Sequence, residues 1–538
     1  MSLLAAADYD SSSFTLSPVT AFLLVIGVTL FLSVMTGLDT DEVADIYTAN
    51  RSLSVVKNAL AATGDYVSAL TLLSATGLVA LVGYDGITLG ICTVLALGVL
   101  LLIAEPLRNT GRFTLGDSLE ARIPGSATRI AGAVVTLLVC LPYIVSQLSA
   151  VGTAVAGLVG LEGPGPAKVC IVLIGALMIC FAAYGGMRGV SLIQILKAVL
   201  VFGAMLAIAL LVLDRFDFDI AALLDGAARG SGLPDAYFSP GRLYPMDVTG
   251  RLNVVSLYIT LIAGASCTPH MLMRVNVARS GPEARRATRH TMLMVAAFCG
   301  SVIVAGLGAS ALVGAKDIVA ADPRGNSALL ELAGHLAGGP ETTGGSILYT
   351  LVASAVFITT LAVVSGLTLA AAATLAHDVY AHASRRGRLA EGNEVGVARW
   401  FVVLVGSVSV LLAVGLYGWD IQFVGGFSVG LAASAILPAL LYSLFWSRFT
   451  RTGLLWSMYG GTICCFVLLV FGPNVSGTPV ALLPDQDFHW WPLETTGLVS
   501  VPVGFLLGWA GSVRSRRRTE LDRHAEMEAR ALAGVGAE

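Results

Sequence analysis

The sequence contains little charge. Of its 538 residues only 12% are Asp, Glu, Lys or Arg, whereas 56% are apolar. Ordinary soluble domains carry about twice that share of charged residues. The composition excludes a soluble enzyme, a disordered protein and a nucleic-acid binder. It indicates an integral membrane protein, with the lipid bilayer and no nucleic acid among its partners.

Signatures of disulfides, metal sites and catalysis are also missing. All eight cysteines lie in apolar stretches, and none forms a Cys-x-x-Cys or Cys/His ligand spacing. The sequence has no Walker loop, no Gly-x-Ser-x-Gly and no His-Glu-x-x-His. We therefore expect neither an enzyme nor a bound cofactor, and no pump that is driven directly by nucleotide hydrolysis.

Long apolar runs are what the sequence does contain. A membrane-spanning helix needs about 20 mostly apolar residues. No Lys or Arg precedes the first run to form the basic start of a signal peptide, so we expect a retained helix there. The predicted spans number thirteen: 18–38, 56–82, 86–105, 129–158, 167–187, 192–213, 252–273, 290–314, 346–375, 397–417, 423–446, 454–472 and 494–513.

The distribution of positive charge predicts the topology. With the N-terminus outside, 25 of the 32 Lys and Arg residues, Lys197 among them, fall on the inner side and 7 on the outer side. Cytoplasmic loops carry such an excess. We therefore expect an extracellular N-terminus (1–17), a cytoplasmic basic tail (514–538) and a location in the cell membrane.

The spans group around two units of five. We expect a peripheral first helix (18–38), a first five-helix repeat (56–213), an extracellular loop (214–251), a second five-helix repeat (252–446) and two peripheral helices (454–513).

Asp65 is the clear exception among ionisable residues, most of which lie in loops. It falls in the middle of the second span, within Gly64-Asp-Tyr-Val-Ser-Ala69. A carboxylate at that depth costs several kcal/mol unless something compensates it. Gly64 lowers helix propensity, so the segment predicts either a broken helix that forms part of a binding site or an Asp that only caps the second half of the helix.

A matching interruption lies in the seventh span, at Ile262-Ala-Gly-Ala-Ser-Cys-Thr-Pro-His270. Pro269 removes a backbone donor, and Gly264 loosens the turn before it. Each interruption opens a unit of five spans. Corresponding breaks of this kind indicate an inverted-repeat transporter whose site lies where the broken helices cross.

Three further polar residues in the spans have two interpretations each. His270 and Arg274, one helical turn apart, either cap carbonyls at the membrane interface or take part in gating and proton transfer. Gln147 either forms a hydrogen bond between helices or contacts the substrate.

The residues resemble the sodium:solute symporter family, most closely its acetate and monocarboxylate permeases, over roughly 45–455. The family's fold is a LeuT-like core of two inverted five-helix repeats, with broken first and sixth core helices. The resemblance is carried by an ordered series of motifs: Asp45-Ile-Tyr-Thr-Ala49, Gly64-Asp-Tyr-Val-Ser-Ala69, Gly83-Tyr-Asp-Gly86, Tyr184-Gly-Gly-Met187 with Gln194, Pro269-His-Met-Leu-Met-Arg274, His377-Asp-Val-Tyr380 and Phe445-Trp-Ser-Arg448.

This resemblance implies a cation site formed by the carbonyls of Thr63 and Tyr66, with Asp65 at the family's important polar position. The facing helix (346–375) contributes Thr359, Ala362 and Val363. Sodium-driven members have two hydroxyl residues where this sequence has Ala362 and Val363. The coupling ion is therefore left open between Na⁺, with Thr359 and Thr360 shifted into place, and H⁺, with Asp65 as its carrier.

The resemblance further implies a short monocarboxylate substrate such as acetate, propionate or pyruvate. Its carboxylate is expected near Tyr66, Val67 and Ser68, with Thr268 or Gln147 as donors. The second break is lined by small residues, which include Ala265, Ser266 and Thr268.

The function predicted from the sequence is thus cation-coupled symport of a monocarboxylate into the cell. The alternatives are a sodium symporter for another small organic solute, a substrate sensor built on the transporter fold and a channel. The short tail disfavours the sensor, and the paired breaks disfavour the channel.

Overall fold

A computed structural model describes residues 27–28, 31, 42–158, 163–336, 343–384, 391–419, 421–478, 481–515 and 519–534. Within these ranges the chain is all-helical. The first half comprises α1 (Val43–Thr48), α2 (Val55–Tyr66), α3 (Ala69–Val82), α4 (Tyr84–Thr110), α5 (Leu115–Arg122), α6 (Ser126–Leu158), α7 (Pro164–Arg215) and α8 (Ile220–Gly230).

The second half begins with the broken pair α9 and α10. Its helices are α9 (Val248–Ala265), α10 (Pro269–Asn276), α11 (Gly281–Leu312), α12 (Ala315–Ala321), α13 (Ala328–Leu336), α14 (Thr343–Ala373), α15 (Glu391–Gly415), α16 (Ile421–Leu431), α17 (Leu437–Phe445), α18 (Arg451–Val470), α19 (Gly497–Arg514) and α20 (Thr519–Ala533). Two π-helical turns, Thr374–Ser384 and Ala432–Ile436, continue α14 and α16.

The predicted break after Asp65 is present. Helix α2 ends at Tyr66, Val67 is extended, and α3 begins after Ser68. The Ser68 hydroxyl accepts a hydrogen bond from the Thr71 N–H at 3.2 Å, and the Thr71 hydroxyl accepts from the Ser68 N–H. This reciprocal cap starts a new helix, so the interruption is encoded locally.

The second predicted break is present as well. Helix α9 ends at Ala265, and Pro269 occupies the first turn of α10, where its missing N–H has no cost. Gly264 lies at a close approach, because a Cβ on it would fall 2.0 Å from the Val429 carbonyl oxygen.

The predicted number of thirteen spans is not confirmed. The described part of the chain contains ten helices that are long and apolar enough to cross a membrane, or eleven if α2 and α3 count as one broken span. The predicted span 18–38 lies almost wholly outside the described residues. The predicted spans 167–187 and 192–213 form one helical segment, α7, which breaks at Gly186 with a φ of 49°.

The two broken helices meet near the centre of the fold. Helix α2 contacts α10, and both contact α14. Helix α14 is central, because its most apolar stretch is entirely buried inside the protein. Helix α7 packs against α2, α6 and α14. This arrangement brings side chains of α7 and α14 to the break in α2.

The tail also has a defined place. Helix α20 packs against α4, and the Asn109 side-chain amide donates to the Ala531 carbonyl at 2.9 Å. The Arg530 side chain donates in return to the Asn109 carbonyl, also at 2.9 Å. Part of the predicted basic tail (514–538) therefore docks on the protein itself.

Candidate functional site

A cavity of about 400 Å³ lies where the two breaks face each other. Its inner end is lined by Tyr66, Ser68, Ala265, Thr268 and His270. From there it extends to residues of two connecting segments, among them Leu243, Tyr244, Asn474 and Glu494. Of the predicted substrate residues, the cavity therefore brings together Tyr66, Ser68, Ala265 and Thr268.

Two helix N-termini meet the inner end of this cavity. Ser68 is the N-cap of α3 and Thr268 is the N-cap of α10, and both residues line the cavity. The side chain of Thr268 makes no capping hydrogen bond. Because helix N-termini carry a partial positive charge and unpaired N–H groups, the inner end favours an anion.

His270 supplies a polar side chain at the same place. It is 5% exposed and lines the cavity, and its Nδ1 has no hydrogen-bond partner among the described residues. Its ring packs edge-on against Tyr143, with 6.0 Å between centroids. His270 is therefore buried in the core, and the predicted role at the membrane interface does not fit its position.

The carboxylate of Asp65 is paired with Arg274. The Arg274 Nε donates to Asp65 Oδ2 at 2.8 Å, and Nη2 contacts the same oxygen. Both side chains are 2% exposed. Arg274 thus supplies the compensation that Asp65 requires, and it does not extend to the membrane interface.

Two side chains of α7 complete this polar centre. The Gln194 amide donates to Asp65 Oδ1 and, at 2.7 Å, to the Ala362 carbonyl oxygen. The Lys197 ammonium donates to the carbonyl oxygens of Gly64 and Val67. These carbonyls lie one residue beyond those of Thr63 and Tyr66, which the sequence assigned to a cation. The Thr63 carbonyl accepts the Val67 N–H at 3.0 Å.

The facing helix α14 offers few side-chain oxygens here. The Thr359 hydroxyl donates to the Ala355 carbonyl at 2.6 Å within its own helix. Ala362 and Val363 are buried and carry no side-chain oxygen. The structure therefore provides no side-chain hydroxyl at the two positions where sodium-driven members of the family carry one, as the sequence indicates.

The other predicted site residues lie outside the cavity lining. Gln147 is fully buried, and neither its amide nitrogen nor its amide oxygen has a partner among the described residues. The Ser266 hydroxyl donates to the Ala263 carbonyl at 2.7 Å. Gly64 lies against α7, because a Cβ on it would fall 2.3 Å from the Gln194 carbonyl oxygen.

Sequence reasoning missed Lys197, which it counted as an inner-side charge. A predicted span that starts at 192 places Lys197 near the membrane surface. Helix α7 instead turns at Gly186, which puts Lys197 about 16 Å along the following segment. Its place within an apolar run was the signal that could have revealed a buried role. Tyr143, which also lines the cavity, was given no role from the sequence.

Comparison with known sequences decides the family. The sodium:solute symporter family matches residues 46–461. The chain belongs to the sodium:solute symporter family. This symporter is 36% identical over 531 residues to a monocarboxylic acid transporter of Corynebacterium glutamicum, covering 97% of this chain and 95% of that protein. It is 33% identical over 516 residues to the uncharacterized symporter YwcA of Bacillus subtilis, covering 96% and 98%.

Solved structures support the fold. A substrate-bound, outward-open Na⁺-coupled sialic acid symporter matches with a TM-score of 0.71 at 15% identity, over 93% of this chain and 98% of that chain. A closed nucleobase-cation-symport-1 family transporter with bound bromovinylhydantoin matches with a TM-score of 0.53 at 13% identity, over 90% and 99%. The predicted all-helical, LeuT-like membrane fold is confirmed. The symporter is a multi-pass membrane protein and a solute transporter rather than an enzyme.

Proposed function

We propose that this symporter carries a short monocarboxylate, such as acetate, propionate or pyruvate, into the cell together with Na⁺ or H⁺. One observation carries the proposal: two helix N-termini, which begin after Ser68 and Thr268, converge at the inner end of one cavity with His270, whose Nδ1 has no hydrogen-bond partner among the described residues. Such a place attracts a single carboxylate.

The rest of the cavity suits the small apolar group of a short monocarboxylate. Ala265 and Phe423 contribute apolar surface beside the polar end. The relative from Corynebacterium glutamicum, which matches nearly the whole chain, is named a monocarboxylic acid transporter. The same kind of substrate therefore accounts for both the lining and the likeness.

The uneven distribution of Lys and Arg between the two sides supports an orientation in the membrane. We propose that the N-terminus is outside and the C-terminus cytoplasmic. The segments that carry Tyr244 and Glu494 then lie on the outer side, so the cavity opens toward the extracellular solution and loads substrate from there.

Exchange of labelled pyruvate across proteoliposomes tests the recognition of charge. Unlabelled acetate, propionate and pyruvate are added as competitors, beside the uncharged acetamide and propionamide. The proposal expects the acids to compete and the amides to fail, because only the acids carry the anion that the helix N-termini attract. Equal competition by acids and amides would contradict it.

A further inference from the structure

Lys197 lies against the break in α2, with no exposed side-chain surface. Its ammonium donates to the carbonyls of Gly64 and Val67, on either side of the end of α2. The last carbonyls of a helix have no partner within that helix. A transporter of this architecture coordinates a cation with the carbonyls freed at a helix break. Here the positive charge at these carbonyls is the ammonium of Lys197, a side chain of the protein itself.

The surroundings of Lys197 favour its ammonium over a bound metal ion. Sodium requires several oxygen ligands, yet Ala362 and Val363 supply none from their side chains. The Gln194 amide presents its NH₂ group, a donor, to the Ala362 carbonyl. The Lys197 ammonium and the Gln194 NH₂ group therefore already donate to backbone carbonyls of the α2 break and of α14 that a metal ion would need as ligands.

We propose that Lys197 is a tethered replacement for the coupling cation and that the proton on its amine is the ion this symporter couples to substrate. The proton binds the lone pair of Nζ from water on one side and gives the ammonium. On the other side it leaves Nζ for water and leaves a neutral amine. No other bond forms or breaks.

The charged groups around Lys197 explain how proton and substrate are coupled. Asp65 of α2 and His270 of α10 interact electrostatically with it, and Arg274 of α10 is paired with Asp65. Helix α14 packs against α7, and the residues of α14 assigned to the cation site, Thr359, Ala362 and Val363, are not titratable. Because Arg274 already neutralises Asp65, the ammonium adds one uncompensated positive charge.

A substrate carboxylate at Ser68 supplies the missing negative charge. Ser68 lines the cavity, and the carbonyl of its neighbour Val67 holds the ammonium. The anion and the proton therefore bind on two faces of the same break, and each raises the affinity for the other. Asp65 is a poorer carrier, because protonating it would leave Arg274 buried without its counter-charge.

This inference rests on the proposed monocarboxylate substrate, so the test begins with unmodified protein. Uptake of labelled pyruvate into proteoliposomes is driven either by an inward proton gradient without sodium or by an inward sodium gradient at equal pH, with potassium as the balancing ion. We expect the proton gradient to drive uptake and sodium to have no effect. Uptake that requires sodium would overturn the role of Lys197 but leave cation-coupled monocarboxylate symport intact. Absence of any pyruvate binding or exchange would instead refute the proposed function.

Two variants separate proton release from a structural role. Lys197→Arg keeps the charge but does not release its proton. We expect it to lose net uptake by about tenfold or more while it still exchanges labelled for unlabelled pyruvate, because exchange requires no proton release. Lys197→Met removes the charge and should abolish the response to the pH gradient.

The exposed Lys57→Met serves as the matched control, and thermal unfolding verifies that each variant is folded. If a folded Lys197→Met protein kept proton-driven uptake at the level of Lys57→Met, the proposal would be wrong.

Discussion

Asp65 and Arg274 form a buried ion pair that joins the two broken helices. Asp65 lies in the last turn of α2, just before the first break, and Arg274 lies in α10, after the second. The Arg274 Nε and Asp65 Oδ2 are 2.8 Å apart. A rearrangement that moves α2 and α10 together can keep this pair, whereas one that separates the two helices must break it.

Replacing Asp65 with Asn should both abolish transport and destabilise the protein. Breaking a buried pair by removing one partner costs about 3–5 kcal/mol, because the remaining charge is uncompensated. Thermal unfolding in detergent and pyruvate uptake measure the two effects. The double variant Asp65→Asn with Arg274→Met should recover part of the lost stability. A single Asp65→Asn variant as stable as the unmodified protein would show that Arg274 does not depend on this carboxylate.

The glycine before the first break should not tolerate a side chain. A Cβ on Gly64 would lie 2.3 Å from the Gln194 carbonyl oxygen, whereas one on Gly203 would meet nothing within 4 Å. We expect Gly64→Ala to lower the unfolding temperature and abolish uptake, because α2 must move away from α7. Gly203→Ala, also in a helix, should raise stability by about 0.5–1 kcal/mol. Equal behaviour of the two variants would argue against close packing at the break.

Substrate affinity should depend on His270. His270→Gln alters the buried ring that lines the cavity, and we expect it to raise the KM for pyruvate exchange more than it lowers the maximal rate. His335→Gln, at an exposed position, is the control. An unchanged KM in a folded His270→Gln protein would remove His270 from the proposed carboxylate site.

A second buried network predicts how stability depends on acid. Arg129 Nη1 lies 2.9 Å and His377 Nε2 3.2 Å from Asp117 Oδ1. Burial opposes ionisation, but His377 and Arg129 together hold the pKa of Asp117 well below its ordinary value. A carboxyl whose pKa is lowered in the folded protein stabilises it above the unfolded pKa of about 3.9.

Asp117 should therefore contribute stability at neutral pH that disappears as the pH falls below about 4 toward the folded pKa. Asp117→Asn should be less stable at neutral pH and should lose less of its remaining stability on acidification. Thermal unfolding measured over a pH series tests this. Parallel curves for the variant and the unmodified protein would exclude Asp117 as the source.

Local signals made the two breaks predictable. Gly64 followed by Asp65, and Pro269 preceded by Gly264, disturb the helix at the positions where they stand, so no knowledge of distant partners was needed. The residues that Asp65 and the Gly64 carbonyl contact could not be predicted in this way. That Arg274 meets Asp65, and that Lys197 meets the Gly64 carbonyl, depends on how α7 and α10 pack against α2, which helical periodicity does not encode. Charge counting placed Lys197 near the surface because the predicted span began at 192, whereas the segment that carries Lys197 begins at the break at Gly186.

Net uptake starting from equal concentrations tests cation-coupled monocarboxylate transport most directly. Proteoliposomes hold labelled pyruvate at the same concentration inside and outside, and an inward gradient of H⁺ or Na⁺ is then imposed, with protein-free liposomes as the blank. We expect one of these gradients to drive pyruvate to accumulate inside above the blank. If pyruvate binds and exchanges but neither gradient changes its internal concentration, this protein does not couple an ion gradient to monocarboxylate transport.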